Sequence, residues 1–512
     1  MTADLTLAVE LQGITKQFGP VPANAGVDMH VKAGTIHGVI GENGAGKTTA
    51  MNILYGLIRP DAGKILIGGQ EREWSSSSEA IANGIGMVHQ HFMLAGSCTA
   101  LDNVIVGAEP LLWGIIERQR ARAELDTLAT QYGLPVNWET AIEELPVGAQ
   151  QRVEILKLLY RKAEILIFDE PTAVLTPPET KGLFENLKEL RSQGKTVLLV
   201  THKLNEILAV TDRVSVFRDG KVIAECLTDQ TSAQELANLM VGRKVSLSVS
   251  VPAARAREDL AIDVSGLVVP GDASGRHKVA DVSFQVRRGE IVGIAGVEGN
   301  GQSELLQAML HPRIRSSGTI RFLSQDVSDW SNAHLRELGI AFIPEDRQQE
   351  GLLLENSIIE NFLLGLQRSA GFSRRGFIRQ TEVERAAISA MEEYDVRPRE
   401  ISAAVLALSG GNQQKLVLAR EFYRDPKVII AAQPTRGVDV GAIEFIHKRL
   451  VQARDGGAGV LLISSDLDEI LALSDRILVM FEGRIAGEFE RGQVSERELG
   501  LKMGGAVNET GN

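Results

Sequence analysis

The segment Gly41-Glu-Asn-Gly-Ala-Gly-Lys-Thr48 lies between an apolar run, Thr35-Ile-His-Gly-Val-Ile40, and a helical pattern that begins at Thr48. Glycines at this spacing let the backbone curl, so that its N–H groups and the N-terminus of the next helix point at phosphate oxygens. Lys47 supplies a positive charge for the phosphates, and the Thr48 hydroxyl is placed to bind Mg²⁺. The segment therefore predicts a strand–loop–helix phosphate site rather than a plain glycine turn. Its candidate binding residues are Gly41, Glu42, Asn43, Gly44, Ala45, Gly46, Lys47, Thr48 and Thr49.

The same motifs occur a second time. A counterpart of the glycine loop, Gly296-Val-Glu-Gly-Asn-Gly-Gln-Ser303, follows at an offset of 255 residues. Two later blocks, which begin at Gly148 and Phe168, have counterparts at an offset of 263 residues, at Gly411 and Ala431. Matched blocks in one order predict a duplicated domain with a single short insertion in the second copy. We expect domains at residues 6–243 and 260–503, a linker at 244–259 and a tail at 504–512.

The first copy also carries two adjacent carboxylates after the apolar run Ile165-Leu-Ile-Phe168. A buried strand would place Asp169 where it can hold magnesium, and Glu170 beside the terminal phosphate as a general base for water. His202 follows the next apolar run and could hydrogen-bond the same phosphate. The alternatives are two acids that close a strand and a structural histidine. Apolar strands that alternate with helical patterns predict an α/β domain with a mostly parallel sheet.

Composition narrows the classes of function. The chain has 512 residues and a net charge of −12, which argues against a general nucleic-acid binder. Its two cysteines, Cys98 and Cys226, form no metal-ligand or disulfide pattern, which fits a reducing compartment. The N-terminus has no basic start and no apolar run, and no segment approaches the roughly 20 apolar residues of a membrane span. Any membrane role is therefore expected to come through a partner.

Together the glycine loop, the segment at Gly148, the Asp169–Glu170 pair and His202 resemble an ATP-binding-cassette ATPase, twice over nearly the whole chain. The resemblance implies that each domain adds an antiparallel β subdomain and a helical subdomain to its parallel sheet, and that the cofactors are ATP and Mg²⁺. It implies a Q-loop glutamine at Gln90, which contacts Mg²⁺ with Thr48 and Asp169. Phe18 would stack on adenine, with a core phenylalanine as the alternative. The family's signature matches Leu408-Ser-Gly-Gly-Asn412 closely and Leu145-Pro-Val-Gly-Ala149 loosely.

The two copies differ at the positions that the family uses to bind and hydrolyse ATP. In the family, domains pack head to tail, so each ATP lies between one P-loop and the other domain's signature and D-loop. One site would then combine intact residues, which are Lys47, Gln90, Asp169, Glu170 and His202 with Ser409, Gly410, Gly411 and Asp439. The other would combine altered ones, which are Gln302, Glu345, Ala432, Gln433 and Ser465 with Pro146 and Thr176, and Ala273 replaces Phe18. This segregation predicts one hydrolysing site, unless Pro146 and Thr176 are neutral variants.

Among cassette ATPases, four segments are similar to fused subunits that power simple-sugar and nucleoside importers. They begin at Met87, Glu170, Gly296 and Pro344, and the first two favour the nucleoside branch. The resemblance implies an ATPase bound peripherally to the cytoplasmic face of the inner membrane. Its partners would be two integral-membrane permease subunits and, through them, a periplasmic or lipid-anchored binding protein, with no nucleic acid and no direct contact with the transported solute. The alternatives are a tandem ATPase that acts on ribosomes and a DNA-repair ATPase.

Overall fold

The computed structural model describes residues 7–504, except 20, 90–91, 173–174, 176, 246–250, 255, 272–276, 298, 312–313, 316 and 328. The chain divides into two compact units, unit 1 at Met1–Val245 and unit 2 at Ser246–Asn512. Within the described ranges, no helix has both the length and the apolar character needed to cross a membrane.

Unit 1 contains twelve described strands and eight described α-helices. The strands are β1 (Leu7–Phe18), β2 (Val21–Lys32), β3 (Ile36–Gly41), β4 (Ala62–Ile67), β5 (Gln70–Arg72), β6 (Ile85–Val88), β7 (Leu111–Leu112), β8 (Ile115–Ile116), β9 (Ile165–Asp169), β10 (Thr196–Val200), β11 (Arg213–Arg218) and β12 (Lys221–Leu227). The helices are α1 (Lys47–Leu54), α2 (Ser77–Ala82), α3 (Ala100–Ile105), α4 (Arg118–Gln131), α5 (Val147–Tyr160), α6 (Pro177–Ser192), α7 (Leu204–Val210) and α8 (Ala233–Val241).

Unit 2 repeats the series. Its strands are β13 (Leu260–Val269), β14 (Val279–Arg287), β15 (Ile291–Ala295), β16 (Ser317–Phe322), β17 (Gln325–Asp326), β18 (Ile340–Ile343), β19 (Ser373–Arg374), β20 (Phe377–Ile378), β21 (Val428–Ala432), β22 (Gly459–Ser464), β23 (Arg476–Phe481) and β24 (Arg484–Glu490). Its helices are α9 (Gln302–Leu310), α10 (Asn332–Leu338), α11 (Ile358–Leu363), α12 (Gln380–Glu393), α13 (Gly410–Phe422), α14 (Val440–Asp455), α15 (Leu467–Leu473) and α16 (Glu496–Met503).

Each unit has a six-stranded sheet and a four-stranded antiparallel sheet. In unit 1 the larger sheet has the order β12-β11-β3-β10-β9-β6, and all its neighbours are parallel except β11 and β12. Strands β3, β9 and β10 are buried along their whole length, as central strands of a parallel sheet must be. The smaller sheet has the order β2-β1-β4-β5. Unit 2 repeats both orders, which confirms the predicted α/β fold with its mostly parallel core and antiparallel subdomain.

The helical subdomain of unit 1 contains α3, α4 and α5, which share one apolar core with a face of the parallel sheet. A second core lies between the other face, α1 and the antiparallel sheet. The two cores lie on opposite faces of the sheet, so its strands are packed from both sides. This arrangement fixes the loops that follow β3, β9 and β10, where the predicted site residues lie.

The sequence suggested a single insertion in the second copy, but the structure divides it among several loops. The offset is 255 residues at β6 and β18, 258 at α3 and α11, 262 at β7 and β19, and 263 at the 3-10 turns Ile142–Glu144 and Val405–Ala407. Three, four and one residues are therefore added at three loops. Two offsets measured at distant motifs cannot separate one insertion from several, because only their sum is visible. The first three added residues lie between β18 and α11, the segment that contains Glu345.

Candidate nucleotide sites

The glycine loop of unit 1 connects β3 to α1 through a tight turn. Gly46 has a φ of 97°, and a Cβ there would collide with the carbonyl oxygen of Ala23. The Asn24 side chain, on strand β2, donates to the Gly46 carbonyl at 3.0 Å. The antiparallel hairpin β1–β2 therefore braces the loop. The loop leads directly into the N-terminus of α1, as the phosphate-binding prediction requires.

Lys47 lies at the start of α1 and is buried. Its Nζ donates to the carbonyl oxygens of Gly41 at 2.7 Å and Glu42 at 3.0 Å. Burial lowers the pKa of Lys47, against the opposing charges of Glu170 and Asp169. The ammonium therefore lies inside the loop and within the electrostatic reach of both carboxylates.

Asp169 closes β9 and is 4% exposed. The hydroxyl of Thr48 donates to its carboxylate, so the glycine loop and β9 meet at this pair. Burial, and after it the charge of Glu170, raises the pKa of Asp169 to about 6. A hydroxyl and a carboxylate in contact are hard oxygen ligands of the kind Mg²⁺ prefers. The residues present therefore fit the metal that the sequence predicted.

Glu170 adopts a left-handed backbone conformation, with a φ of 49°. Its N–H donates to the Val200 carbonyl at 2.9 Å, which ties the turn to the end of β10. Its Oε1 lies 3.0 Å from Nδ1 of His202. Burial acts to raise the pKa of Glu170, but the hydrogen bond from His202 and the charges of His202, Lys47 and Lys203 together outweigh it, so the pKa is lowered. The geometry therefore presents an ionised carboxylate, held by a histidine, beside the phosphate loop.

The structure also shows a supporting residue that the motifs did not reveal. Glu206, buried on α7, accepts hydrogen bonds from the hydroxyls of Thr172 at 2.6 Å and Thr201 at 2.9 Å. One hydroxyl lies just after Glu170 and the other just before His202, so Glu206 fixes the two loops relative to each other. Its counterpart at offset 263 is Glu469, also a buried glutamate. Identity between the two copies was the signal that could have identified it.

Glu206→Ala should lower the free energy of unfolding of unit 1 by about 2 kcal/mol, because two buried hydroxyls lose their acceptor. Urea unfolding followed by tryptophan fluorescence would measure this change, since Trp74, Trp113 and Trp138 all lie in unit 1. The exposed Glu185→Ala on α6 is the control. Equal unfolding midpoints for the two variants would contradict the bracing role.

Phe18 ends β1 and pairs with Val21 across the hairpin whose second strand braces Gly46. Its side chain is 50% exposed, so the alternative of a core phenylalanine is wrong. An exposed aromatic ring on this hairpin has the surroundings that a stacking role requires. Gln90, the expected metal and water contact, lies outside the described residues, and so do Ala273 and Thr176.

Unit 2 keeps the backbone of this site and changes its chemistry. Gly301 has a φ of 102° at the position of Gly46. The amide of Gln302 packs against Gly296, and Ala432 provides no carboxylate. Gln433 keeps the left-handed conformation, with a φ of 46°, and accepts from the Ser465 hydroxyl at 3.2 Å. The backbone conformations at Gly301 and Gln433 therefore match those at Gly46 and Glu170, but the side chains of Lys47, Asp169 and Glu170 have no charged counterparts at these positions.

Glu345 in unit 2 forms an ion pair with Arg436. The carboxylate and guanidinium are 2.7 Å apart, and the second carboxylate oxygen lies 3.5 Å from the Ser303 hydroxyl. A guanidinium thus neutralises this carboxylate beside Ser303, the counterpart of Thr48 in unit 2. Within the described part of unit 2, the residues do not reproduce the pair formed by Thr48 and Asp169.

The signature of unit 2 forms the N-terminus of α13. Ser409 caps this helix by accepting from the Asn412 N–H, and Gly411 lies so close to the Asp439 carboxylate that a Cβ would collide with it. Asp439 caps α14 by accepting from the Ala442 N–H at 2.7 Å. The predicted residues Ser409, Gly410, Gly411 and Asp439 are therefore brought together. In unit 1, Pro146 takes the position of Ser409 before α5 and has no hydroxyl to offer.

Comparison with known proteins gives a consistent assignment. A family model described as ABC transporter matches residues 25–173 and 279–436. The guanosine import ATP-binding protein NupO of Bacillus subtilis (strain 168) is 47% identical over 98% of both chains. The nucleoside import ATP-binding protein NupA of Lactococcus lactis subsp. cremoris is 45% identical over 98% of this chain and 99% of its own. The glucose import ATP-binding protein TsgD13 of Haloferax volcanii is 40% identical over 98% of this chain and 96% of its own.

Among solved structures, one titled RNase-L Inhibitor has a TM-score of 0.62 and covers 94% of this chain and 90% of its own. It is 19% identical, so this likeness shows the fold alone and does not favour a ribosomal function. The family match and the full-length relatives confirm the resemblance drawn from the motifs. The chain belongs to the ABC transporter family and carries two ATP-binding cassettes.

Proposed function

We propose that this chain hydrolyses ATP at one catalytic site to power a membrane importer. The observation that carries the proposal is the convergence of Lys47, Asp169 and the Glu170–His202 pair on one glycine loop in unit 1. Unit 2 has the same loop geometry without these groups. ATP hydrolysis therefore belongs to the first copy's P-loop, and the second copy keeps a site that does not turn over.

The side chains divide the chemistry between them. Lys47 and the loop N–H groups hold the β- and γ-phosphates, and Phe18 stacks on adenine. Thr48, Asp169 and Gln90 would hold Mg²⁺, which neutralises phosphate charge when bound. Glu170 accepts a proton from the attacking water, and His202 orients Glu170 and contacts the terminal phosphate.

The site is completed by the other copy. Ser409, Gly410 and Gly411 lie at the N-terminus of a 13-residue helix, which suits them to a phosphate oxygen. Asp439 belongs to the same assembly through its closeness to Gly411. The support for this arrangement is the segregation of defects, since the copy with an intact P-loop has Pro146 and the copy with an intact signature has Gln302. ATP binding would then close the two units, and hydrolysis would reopen them.

The partners follow from import. We propose that the chain lies at the cytoplasmic face of the inner membrane, bound to two integral-membrane permease subunits. A periplasmic or lipid-anchored solute-binding protein would reach the chain only through them. Nucleosides are the favoured solutes, because the relatives at 47% and 45% identity are named for guanosine and nucleoside import. The chain itself would not contact the solute.

ATPase assays on the chain reconstituted with its permease and binding protein test this function. Guanosine or another nucleoside should stimulate ATP hydrolysis through the binding protein, whereas ribose and glucose should not. Stimulation by a sugar alone would replace the nucleoside assignment, and ATPase stimulated by ribosomes instead of a permease would overturn the import function.

An exposed apolar hairpin supports the permease contact. Strands β7 and β8 form the tip Leu-Leu-Trp-Gly-Ile-Ile at residues 111–116, and its apolar side chains are all exposed, Trp113 to 95%. Exposed apolar clusters of this kind mark sites of interaction with a protein or a membrane. The hairpin leads directly into α4 of the helical subdomain. We assign the cytoplasmic surface of one permease subunit as its occupant, because a chain that powers import needs a membrane partner.

Trp113→Ser should weaken binding to the permease by about tenfold or more, because a central aromatic contact is lost. ATPase of the isolated chain should not change, since Trp113 packs against little of its own unit. Co-purification with detergent-solubilised permease measures the effect, and Leu57→Ser, at an exposed site elsewhere on unit 1, is the control. Equal recovery of permease with both variants would remove the hairpin from the contact.

A further inference from the structure

The segment between β18 and α11 of unit 2 is three residues longer than its counterpart in unit 1. It contains a five-residue π-helix, Arg347–Gly351, which follows Asp346. The Asp346 carboxylate caps this turn by accepting from the N–H groups of Gln348 at 2.9 Å and Gln349 at 3.1 Å. The offset between the copies rises from 255 to 258 residues across this region. The turn is therefore a local elaboration of the copy that carries the intact signature.

Arg347 joins this turn to the two loops that we assign to the catalytic site. Its Nη1 donates to the Arg436 carbonyl at 2.6 Å, and its Nη2 donates to the Gly437 carbonyl at 3.0 Å. The same Nη2 lies so near Gly410 that a Cβ built there would be 2.6 Å from it. One guanidinium thus contacts the signature and holds the backbone of the D-loop two residues before Asp439.

Two further hydrogen bonds attach the turn to the signature helix α13. The Gln348 amide donates to Gln413 at 3.1 Å, and Arg420 donates to the Gly351 carbonyl at 2.8 Å. The turn is therefore fixed at both ends to the helix whose N-terminus carries Ser409. A displacement of residues 345–351 would carry the signature and the D-loop with it.

The bonding of Arg347 is directed at backbone carbonyls rather than at a carboxylate. Burial lowers the pKa of its guanidinium, so its position costs solvation energy. Two carbonyl acceptors in a fixed geometry suit the planar fork of arginine and do not suit lysine equally. The absence of side chains at Gly410 and Gly437 leaves room for the fork. A Cβ built on Gly437 would lie 3.4 Å from Nη2 of Arg347, and one built on Gly410 would lie 2.6 Å from it.

We infer that Arg347 is a positioning residue for ATP hydrolysis, which holds the signature at Ser409 and the D-loop at Asp439 in register for the catalytic site. The inference rests on the proposed composite site. It also assigns a function to the turn Arg347–Gly351. This turn would couple movement of the segment after Glu345 to the residues that complete the site. Arg347 and the loops that it contacts all lie in unit 2, so we assign this coupling to one of the two copies.

Arg347→Ala in the full chain should lower kcat for ATP by between about tenfold and 100-fold, because misplaced catalytic groups lose rate steeply. The KM for ATP should change by less than about threefold, since the P-loop of unit 1 is untouched. Arg347→Lys should recover part of kcat, because an ammonium can reach one carbonyl but not both. Gln349→Ala, exposed in the same turn, is the matched control and should behave as wild type.

Wild-type kcat in a folded Arg347→Ala variant would overturn the inference. If that variant unfolds unit 2, Arg347→Lys decides: a folded protein with lowered kcat supports the inference, and one with wild-type kcat overturns it. Ser409→Arg, assayed alongside, separates this inference from the proposed site. An inactive Ser409→Arg with a fully active Arg347→Ala refutes only the positioning role, whereas an active Ser409→Arg refutes the composite site.

Discussion

Glu170→Gln should leave ATP binding intact and lower turnover by about 10²- to 10⁴-fold, the range of general acid–base contributions. The amide keeps the shape of the carboxylate and can still accept from His202, but it cannot take a proton from water. Two features fix the direction of the Glu170 side chain. They are its left-handed backbone conformation and the 2.9 Å hydrogen bond from its N–H to the Val200 carbonyl. Steady-state phosphate release and equilibrium binding of a fluorescent ATP analogue would measure the two quantities separately.

The second copy provides the control for this substitution. Gln433 stands at the same place, with nearly the same φ and with Ser465 as its partner. Gln433→Ala should therefore leave turnover close to that of the wild type. Residual hydrolysis in Glu170→Gln above a tenth of the wild-type rate would remove Glu170 as the base, and a loss in Gln433→Ala comparable to that in Glu170→Gln would show that turnover also depends on the site of the second copy.

Ser409→Arg should abolish ATP hydrolysis as completely as a P-loop change such as Lys47→Ala. Ser409 caps α13 and is exposed beside Gly410 and Gly411, so a long side chain at this position would extend over the helix N-terminus. The arginine would lose the cap, which is worth about 1 kcal/mol, and block the approach of a phosphate to the helix N-terminus. The effect should appear in kcat, because the P-loop that first binds ATP is in the other copy.

Pro146→Arg is the matched substitution at the corresponding position of unit 1. It should retain most of the activity, since that signature belongs to the site without Lys47, Asp169 and Glu170 counterparts. The steady-state ATPase rates of the two variants provide the comparison. The reverse ranking, with Pro146→Arg inactive and Ser409→Arg active, would contradict the head-to-tail arrangement.

The fold could be predicted from sequence because its determinants are local and repeated. Glycine spacing, apolar strands and the duplicated motifs predicted two α/β domains with mostly parallel sheets. The resemblance added the antiparallel sheet, and the structure has both sheets in each unit. The same patterns brought Lys47, Thr48, Asp169, Glu170 and His202 to one loop cluster. These residues follow consecutive central strands of a parallel sheet, whose carboxyl ends lie at one edge.

Other features could not be predicted, because they depend on contacts between distant residues. Glu206 braces two loops from a helix with no motif of its own. Arg347 binds carbonyls some 90 residues away, and backbone acceptors leave no mark in the sequence. The three inserted segments appeared as one, since only their total changes the offset of the later motifs. The exposure of Phe18 and Trp113 likewise depends on the packing of whole sheets and hairpins.

The central claim is that hydrolysis takes place only at the P-loop of unit 1. Vanadate trapping with a radioactive ATP analogue that is photoreactive on its adenine tests it most directly, because the label marks the adenine-binding residues beside the P-loop at which ADP was formed. The account predicts at most one trapped ADP per chain, cross-linked to peptides of residues 7–245. Trapped ADP cross-linked to peptides around the P-loop of unit 2 (residues 260–310), or two trapped ADP per chain, would contradict it.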